Sequence, residues 1–454
     1  MKLIRSISGI RGIIGQNISP TIAAQYAKSF SLIQSELKPF IIARDTRNQG
    51  YEISQEIKNT IIKTGRDIYD IDIAATPVIQ HLVKKLNAAG GIMITASHNP
   101  EEWNGLKFID SDGCFIGKEK NSILFKNVDK KLFPEESLKK GNIYDKRKFI
   151  DSFMEDLMNL KCIDIERIKS KRFNVAVDAI NGANYQLLPT VLRKLNCKVF
   201  ELYCNDSGKF DRNPEPLPEN LKDLSKQVIK YNADVGFACD PDGDRLSIID
   251  DKGIAIGEES TLVLCADDYY KETKSKLPLV TNLSSTMCLD YIAKKNNVDI
   301  FRSAVGEANV IELMKEKKSM IGGEGNGGVI LKDLHLGRDS LVAAIMILNK
   351  LSKSSEKISS IYSAVPKYHM IKSKISIPDI DLNFLYKYLK DTYHEAIYDE
   401  RDGLKLIWDT KWAHIRNSNT EPIIRIIGES ESLDKTSSLI SNIKENINKF
   451  IDEN

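Results

Sequence analysis

The sequence predicts an α/β protein of several domains, and three observations carry that expectation. Short apolar runs alternate with longer segments of helical period. The runs end in polar loops, the place where sheets of this class bind ligands. The chain has 454 residues, too many for one core, so three or four domains are expected.

Taken in order, residues 39–43 read as a strand ending in Arg44-Asp45-Thr46-Arg47, and residues 91–94 as one ending in Thr95-Ala96-Ser97-His98-Asn99-Pro100. Residues 173–177 end in Asp178-Ala179-Ile180-Asn181-Gly182, and residues 235–239 end in Asp240. Residues 277–280 precede Asn282-Leu283-Ser284-Ser285-Thr286, and Met320-Ile321 leads into a glycine-rich stretch. Helical patterns cover residues 21–36, 184–195 and 217–231. The last segment differs: a helix near 382–398, strands near 403–408, 412–415 and 423–427, then a long amphipathic helix over 432–450. Leu433, Leu439, Ile440, Ile443 and Ile447 form its stripe. The polar stretch 139–147 is a linker candidate, as are 352–357 and 377–379, and Asp250-Asp251-Lys252-Gly253 reads as a tight turn. No internal repeat is legible.

Apolar residues make up 42% of the chain, as in well-cored globular proteins. A net charge of +2 gives no global pull toward nucleic acid or acidic membranes. Neither is expected as a partner. The seven cysteines form no C-x-x-C pair, so reduced, packed thiols in a cytoplasmic protein are expected. Residues 1–12 contain no long apolar stretch of the signal-peptide kind, and no run approaches a membrane span.

Asp240-Pro241-Asp242-Gly243-Asp244-Arg245 is the most informative motif. Pro241 and Gly243 bend the chain directly after a strand. Three carboxylates this close repel one another unless a cation sits among them, and oxygen-only ligands with open positions suit Mg²⁺. Arg245 adds a fork for phosphate. A solvated acidic turn is the competing reading. In the second motif, Ser97 follows a strand as a candidate nucleophile or phosphate acceptor. His98 is its neighbour, although adjacent side chains usually diverge, and Lys107 could bring a cation to the same place.

Arg416-Asn417-Ser418-Asn419-Thr420-Glu421-Pro422 crowds a guanidinium, hydroxyls and amides between two strands, a set suited to phosphate, with Arg425 as a second fork. Residues 322–328 hold five glycines around Glu324 and Asn326, which offer an acceptor and a mixed donor/acceptor to sugar hydroxyls. The spacing is neither a Walker loop nor a dinucleotide fingerprint. Ser8-Gly9-Ile10-Arg11-Gly12 reads more as a turn than as a site.

Taken in chain order, from the Arg11 loop through the serine, aspartate and glycine-rich loops to the Arg416 loop, the five resemble the α-D-phosphohexomutase family across nearly the whole chain. The resemblance implies an α/β, four-domain architecture, with three mixed α/β domains and a C-terminal α+β domain around a central cleft. The expected divisions are 1–148, 149–253, 254–368 and 369–454. It implies that Ser97 carries the phosphoryl group, and that Asp240, Asp242 and Asp244 hold Mg²⁺ with a phosphoserine oxygen as a further ligand. Arg245, Lys107 and Arg11 would surround the reacting phosphate, with Lys107 or His98 moving the proton. Glu324 and Asn326 would read the sugar, and Arg416, Ser418, Asn419, Thr420 and Arg425 would hold the distal phosphate. Many members carry Phe-Gly-Thr where this chain has Ser8-Gly9-Ile10, Glu-x-Ser-Gly where it has Glu324-Gly325-Asn326-Gly327, and Pro or Ala where it has Asn417. Ser8-Gly9-Ile10-Arg11-Gly12 combined with the glycine-rich stretch around Glu324 and Asn326 is most similar to the archaeal and Bacteroidetes-type phosphoglucosamine mutases, with phosphomannomutase/phosphoglucomutase relatives second.

The resemblance implies transfer between C6 and C1 oxygens of a phosphorylated hexose or hexosamine. Glucose or glucosamine 1,6-bisphosphate would serve as intermediate and activator, and the protein would be a monomer or homodimer. Two alternatives of other classes stay open. A phosphatase with an aspartyl nucleophile fits Asp240-Pro241-Asp242 but not Asp244. A calcium-binding module fits the alternation of aspartates but misplaces its glycine.

Overall fold

The computed structural model describes residues 3–34, 36–376, 380–417 and 423–453. Among these, twenty strands fall into four sheets. The first contains β1 (Ile4–Ser6), β2 (Gly9–Ile13), β3 (Phe40–Arg44), β4 (Ile68–Ile73), β5 (Gly90–Ile94), β6 (Trp103–Asp110) and β7 (Ile143–Asp145), in the order β1-β2-β6-β5-β3-β4-β7. The second contains β8 (Asn174–Asp178), β9 (Lys198–Leu202), β10 (Val235–Cys239) and β11 (Leu246–Ile249), ordered β11-β10-β8-β9. The third contains β12 (Leu279–Asn282), β13 (Ile300–Ser303), β14 (Ile321–Glu324) and β15 (Gly328–Leu331), ordered β13-β12-β14-β15. The fourth is antiparallel: β16 (His369–Ser376), β17 (Ile397–Asp399), β18 (Leu404–Ile407), β19 (Lys411–Asn417) and β20 (Ile423–Ser430), ordered β16-β20-β19-β18-β17.

A repeat invisible in the sequence is present in this topology. The units β6-β5-β3-β4, β11-β10-β8-β9 and β15-β14-β12-β13 share one strand order. In each, three parallel strands end in a fourth that runs antiparallel. The loop before that fourth strand carries a predicted site motif every time: 95–102, 240–245 and 325–327. Similar backbones with dissimilar side chains explain why no repeat can be read by eye. The expected phosphate loop falls between β19 and β20, and Ser418, Asn419 and Thr420 lie outside the described residues.

Packing joins the first three sheets. One continuous cluster runs from Val78 and Leu82, through Leu188 and Val191, to Leu341 and Ile345. The fourth sheet has its own core, including Leu385, Leu406, Ile426 and Ile443. The helix Leu433–Glu453 packs on β16, β19 and β20, as the predicted apolar stripe requires.

Several boundaries differ from expectation. The helix Pro20–Ile33 begins one residue earlier than expected, with Ser19 as its cap accepting from the Ile22 N–H, and ends three residues earlier. The stretch 217–231 splits into a 3₁₀ turn, Pro218–Asn220, and the helix Lys222–Tyr231. The helix Leu382–Thr392 stops short, because Ile397 and Tyr398 pair with β18 instead. Part of the linker candidate 139–147 is β7, an edge strand parallel to β4. Residues 9–12 form a strand and not a turn. Strand β16 was not anticipated. All seven cysteines are free, six of them buried. No helix among the described residues is long and apolar enough to cross a membrane.

Burial in the fourth sheet gives a pH prediction. His414 is fully buried; its ring nitrogens face the Asp402 carbonyl at 2.6 Å and Ser284 Oγ at 2.8 Å. Burial pushes its pKa down to about 4, with Arg416 and Lys405 adding repulsion. The folded state therefore favours neutral imidazole, while the unfolded chain takes up a proton near pH 6.5. Stability falls as pH drops below 6.5, and the loss levels off below about 4. The full shift corresponds to about 3 kcal/mol. Urea unfolding of wild type and His414→Asn at pH 7 and pH 4.5 tests this: the wild type should lose more stability than the variant, and equal losses would contradict it.

Candidate active site

The serine loop is held against strain by a buried arginine and a threonine. Ser97 has φ 51°, a left-handed conformation that costs a non-glycine residue about 1 kcal/mol. Its N–H donates to Thr95 Oγ1 at 2.9 Å, and Thr95 Oγ1 donates to Asp45 Oδ2 at 2.6 Å. Arg47, fully buried and paired with Asp45, donates to the carbonyls of Ser97 (2.8 Å) and Asn99 (2.6 Å). Phe210 from the second unit covers its guanidinium at 4.8 Å. The backbone twist brings Ser97 Oγ to 3.3 Å from His98 Nδ1, so these neighbours do not diverge as expected.

The aspartate loop meets the serine directly. Ser97 Oγ lies 3.4 Å from Asp240 Oδ2. Asp240, Asp242 and Asp244 are fully buried, with one oxygen of each within 4.8 Å of the others. Asp240 Oδ1 accepts from the N–H groups of Asp244 and Arg245, both at 3.2 Å. Asp242 Oδ2 accepts from Thr76 Oγ1 at 2.5 Å and Lys107 Nζ at 2.6 Å. Asp244 Oδ2 accepts from Lys107 Nζ at 3.2 Å and Arg338 Nη2 at 2.6 Å. Asp242 Oδ1 and Asp244 Oδ1 are buried without a hydrogen-bond partner. Orphaned carboxylate oxygens beside a third carboxylate are what a hard cation would satisfy, so the donor set fits Mg²⁺.

The electrostatics agree. Burial, then repulsion from Asp244 and Asp242, holds Asp240 well above the usual carboxylate range. Burial would also raise Asp242, but Lys107 and the Thr76 hydroxyl hold it low. Asp244 is likewise lowered against burial, chiefly by Arg338. Protein cations alone thus leave the charged form of Asp240 unfavourable. Lys107 stays charged despite burial, because Asp242 and Asp244 grip it. It sits on β6.

Two more cations face the same place. Arg245 places Nη2 3.2 Å from His98 Nδ1, and its Nε lies 3.9 Å from Asp240 and 3.7 Å from Asp244 without a hydrogen-bond partner. Arg11, on β2, donates to Asn99 Oδ1 at 3.1 Å. His98 is held well below its ordinary pKa by burial and then by Arg245 and Arg11, so it is neutral. Arginine only donates, so Nδ1 of His98 accepts there and Nε2 carries the proton.

Glu324, at the end of β14, accepts at Oε1 from Asn282 Nδ2 (2.8 Å) and the Gly306 N–H (2.9 Å), and at Oε2 from Arg338 (2.9 Å). Asn326 turns its Oδ1 back onto the Gly328 N–H at 3.3 Å. Gly327, at φ 87°, lets this loop lie against the Leu246 backbone, to which it is bonded at 3.0 Å. In the fourth sheet, Lys374, Arg425 and Arg416 stand in register across β16, β20 and β19. Residues in register share a face, and like charges side by side there are unfavourable unless an anion joins them. Asp402 pairs with Arg416 at 2.9 Å and accepts from the Val305 N–H at 2.8 Å, joining this row to the third unit.

Arg47, Thr76, Arg338 and Lys374 escaped the sequence reading. Arg47 lies in a polar run after a strand, a signal that could have found it. The others are defined only by partners distant in the chain.

Three family models, describing α/β/α domains I, II and III of phosphoglucomutase/phosphomannomutase, match residues 2–135, 151–253 and 258–368. The chain belongs to this family, the α-D-phosphohexomutases, and is a mutase, an isomerase-class phosphotransferase. A "Phosphoglucomutase/phosphomannomutase" of Thermococcus kodakarensis is 37% identical over 438 residues, 94% of each chain. A "Phosphoglucosamine/phosphogalactosamine mutase" of Sulfurisphaera tokodaii is 28% identical, covering 96% of this chain and 97% of its own. A crystal structure of a phosphoglucomutase/phosphomannomutase family protein from Burkholderia thailandensis superposes with a TM-score of 0.85 at 23% identity, over 98% of both chains.

Proposed function

We propose that this mutase interconverts glucosamine 6-phosphate and glucosamine 1-phosphate. One observation carries the chemistry: Ser97 Oγ lies against Asp240, beside two buried carboxylate oxygens that no protein group satisfies. Mg²⁺ in that seat would neutralise charge on the phosphoryl group. Ser97, once phosphorylated, donates to the free sugar hydroxyl, and the resulting 1,6-bisphosphate turns end over end before returning its other phosphate. Arg11, Arg245 and Lys107 compensate the phosphoryl charge. Lys107 or His98 moves the hydroxyl proton, and Lys107 is the first choice. Glu324 and Asn326 take the sugar hydroxyls. Arg416, Arg425, Ser418, Asn419 and Thr420 grip the phosphate at rest. The strand flanks of the aspartate loop do not suit a helix-flanked calcium hand.

The hexosamine assignment rests on Asn326 within Glu324-Gly325-Asn326-Gly327, and several relatives bear phosphoglucosamine mutase names. Glucose or mannose phosphate is the second reading, favoured by the 37% identical relative. Side-by-side turnover of the three sugar phosphates tests the choice: glucosamine phosphate should show the highest kcat/KM, and a higher value for glucose or mannose phosphate overturns it. Arg416→Gln should raise KM roughly tenfold or more with kcat little changed, the loss of a charged hydrogen bond to a non-reacting phosphate. A fall in kcat alone would contradict that role.

A further inference from the structure

Arg338 donates hydrogen bonds to three buried carboxylates at the site, and no step above uses it. Its guanidinium donates from Nε to Glu307 Oε2 at 2.8 Å, from Nη1 to Glu324 Oε2 at 2.9 Å and from Nη2 to Asp244 Oδ2 at 2.6 Å. These carboxylates come from the first turn of the helix Glu307–Lys317, the end of β14 and the aspartate loop. All four side chains are buried. A planar fork fixes the direction of each partner, as a lysine ammonium cannot.

The seat is built for it. A Cβ at position 328 would lie 2.2 Å from Arg338 Cδ, so glycine there leaves room for the arginine stem. The next residue, Asp339, donates its N–H to the Val329 carbonyl at 2.8 Å and caps the helix Ser340–Ser352 by accepting from the Leu341 and Val342 N–H groups. The backbone beneath the guanidinium is thereby fixed.

We infer that Arg338 is a positioning residue that joins the cation seat to the sugar loop. It aims the Glu324 carboxylate, whose other oxygen is fixed by Asn282 and Gly306. It also tempers the hold of Asp244 on a divalent cation, because a positive charge touching that carboxylate opposes a second one. Sugar discrimination and cation affinity therefore share one side chain. The sugar half rests on the mutase reading above; the cation half rests only on the aspartate trio.

The cation half is tested with Mn²⁺ as probe, titrated by electron paramagnetic resonance into the metal-stripped full chain without sugar. Arg338→Gln should bind Mn²⁺ at least about fivefold tighter, since a repelling charge is gone. Unchanged or weaker binding by a cooperatively folding variant overturns it. Arg338→Lys keeps the charge in the buried cluster and carries the test should glutamine not fold. It should bind Mn²⁺ within about twofold of wild type, since the charge remains, yet raise KM for the preferred hexose phosphate about tenfold. The ratio of kcat/KM for glucosamine and glucose phosphates should also shrink toward one. A lysine variant with wild-type KM and ratio overturns the sugar half. Failure of the mutase reading is separately visible, as absence of hexose-phosphate turnover by the wild type.

Discussion

Ser97→Ala is expected to abolish mutase turnover, by roughly a thousandfold or more, as loss of a covalent nucleophile does elsewhere. The effect should fall on kcat, because the proposed binding roles of Glu324, Arg416 and Arg425 would be left intact. The fold should tolerate the change. Ser97 Oγ makes only long contacts, 3.3 Å to His98 and 3.4 Å to Asp240, while the loop is pinned through its backbone by Arg47 and Thr95. Steady-state kinetics with a thermal melt checks both parts. Turnover near wild type would remove Ser97 from the chemistry and reopen the aspartyl-nucleophile alternative.

The second large effect is expected at Asp240. Burial and two neighbouring carboxylates raise its pKa, so its charged form is an unfavourable element of the metal-free fold. Asp240→Asn removes that charge while keeping an oxygen able to accept from the Asp244 and Arg245 N–H groups. Activity should fall about a hundredfold or more, the scale of losing one preorganised electrostatic group. Thermal stability without metal should be unchanged or higher, since crowding of like charge is relieved. Added Mg²⁺ should raise the melting temperature of wild type by selective binding to the folded state, and do little for the variant. A variant less stable than metal-free wild type, or one stabilised equally by Mg²⁺, would contradict this reading.

Legibility in the sequence followed chain distance. Strand β10 occupies Val235–Cys239, the run read from its apolar residues, because a buried strand and its terminating Pro and Gly are local signals. The Asp trio needs only five consecutive residues to declare itself. Arg338 is different: it meets Asp244 across 94 positions, and Thr76 meets Asp242 across 166. Nothing local marks either as special. Ser97 and His98 were expected to diverge, and the left-handed backbone at Ser97 overturns that, a conformation that sequence alone rarely signals in a serine. The glycine-rich loop was legible as a close-approach device, but what approaches was not. Gly327 admits the Leu246 backbone and Gly328 the Arg338 stem. Strand β16 was missed because Ser373 stands between Ile371 and Ile375 on its inward face, leaving too few apolar residues there to mark a half-buried edge strand.

Transfer of labelled phosphate bears most directly on whether position 97 shuttles the phosphoryl group. The full chain, with Mg²⁺, would be mixed with ³²P-labelled glucosamine 1,6-bisphosphate, quenched rapidly and mapped by peptide mass. One label on Ser97, chased onto added hexosamine monophosphate at the rate of turnover, is the expected result. Label on Asp240, or turnover with no label on the protein at all, would contradict it.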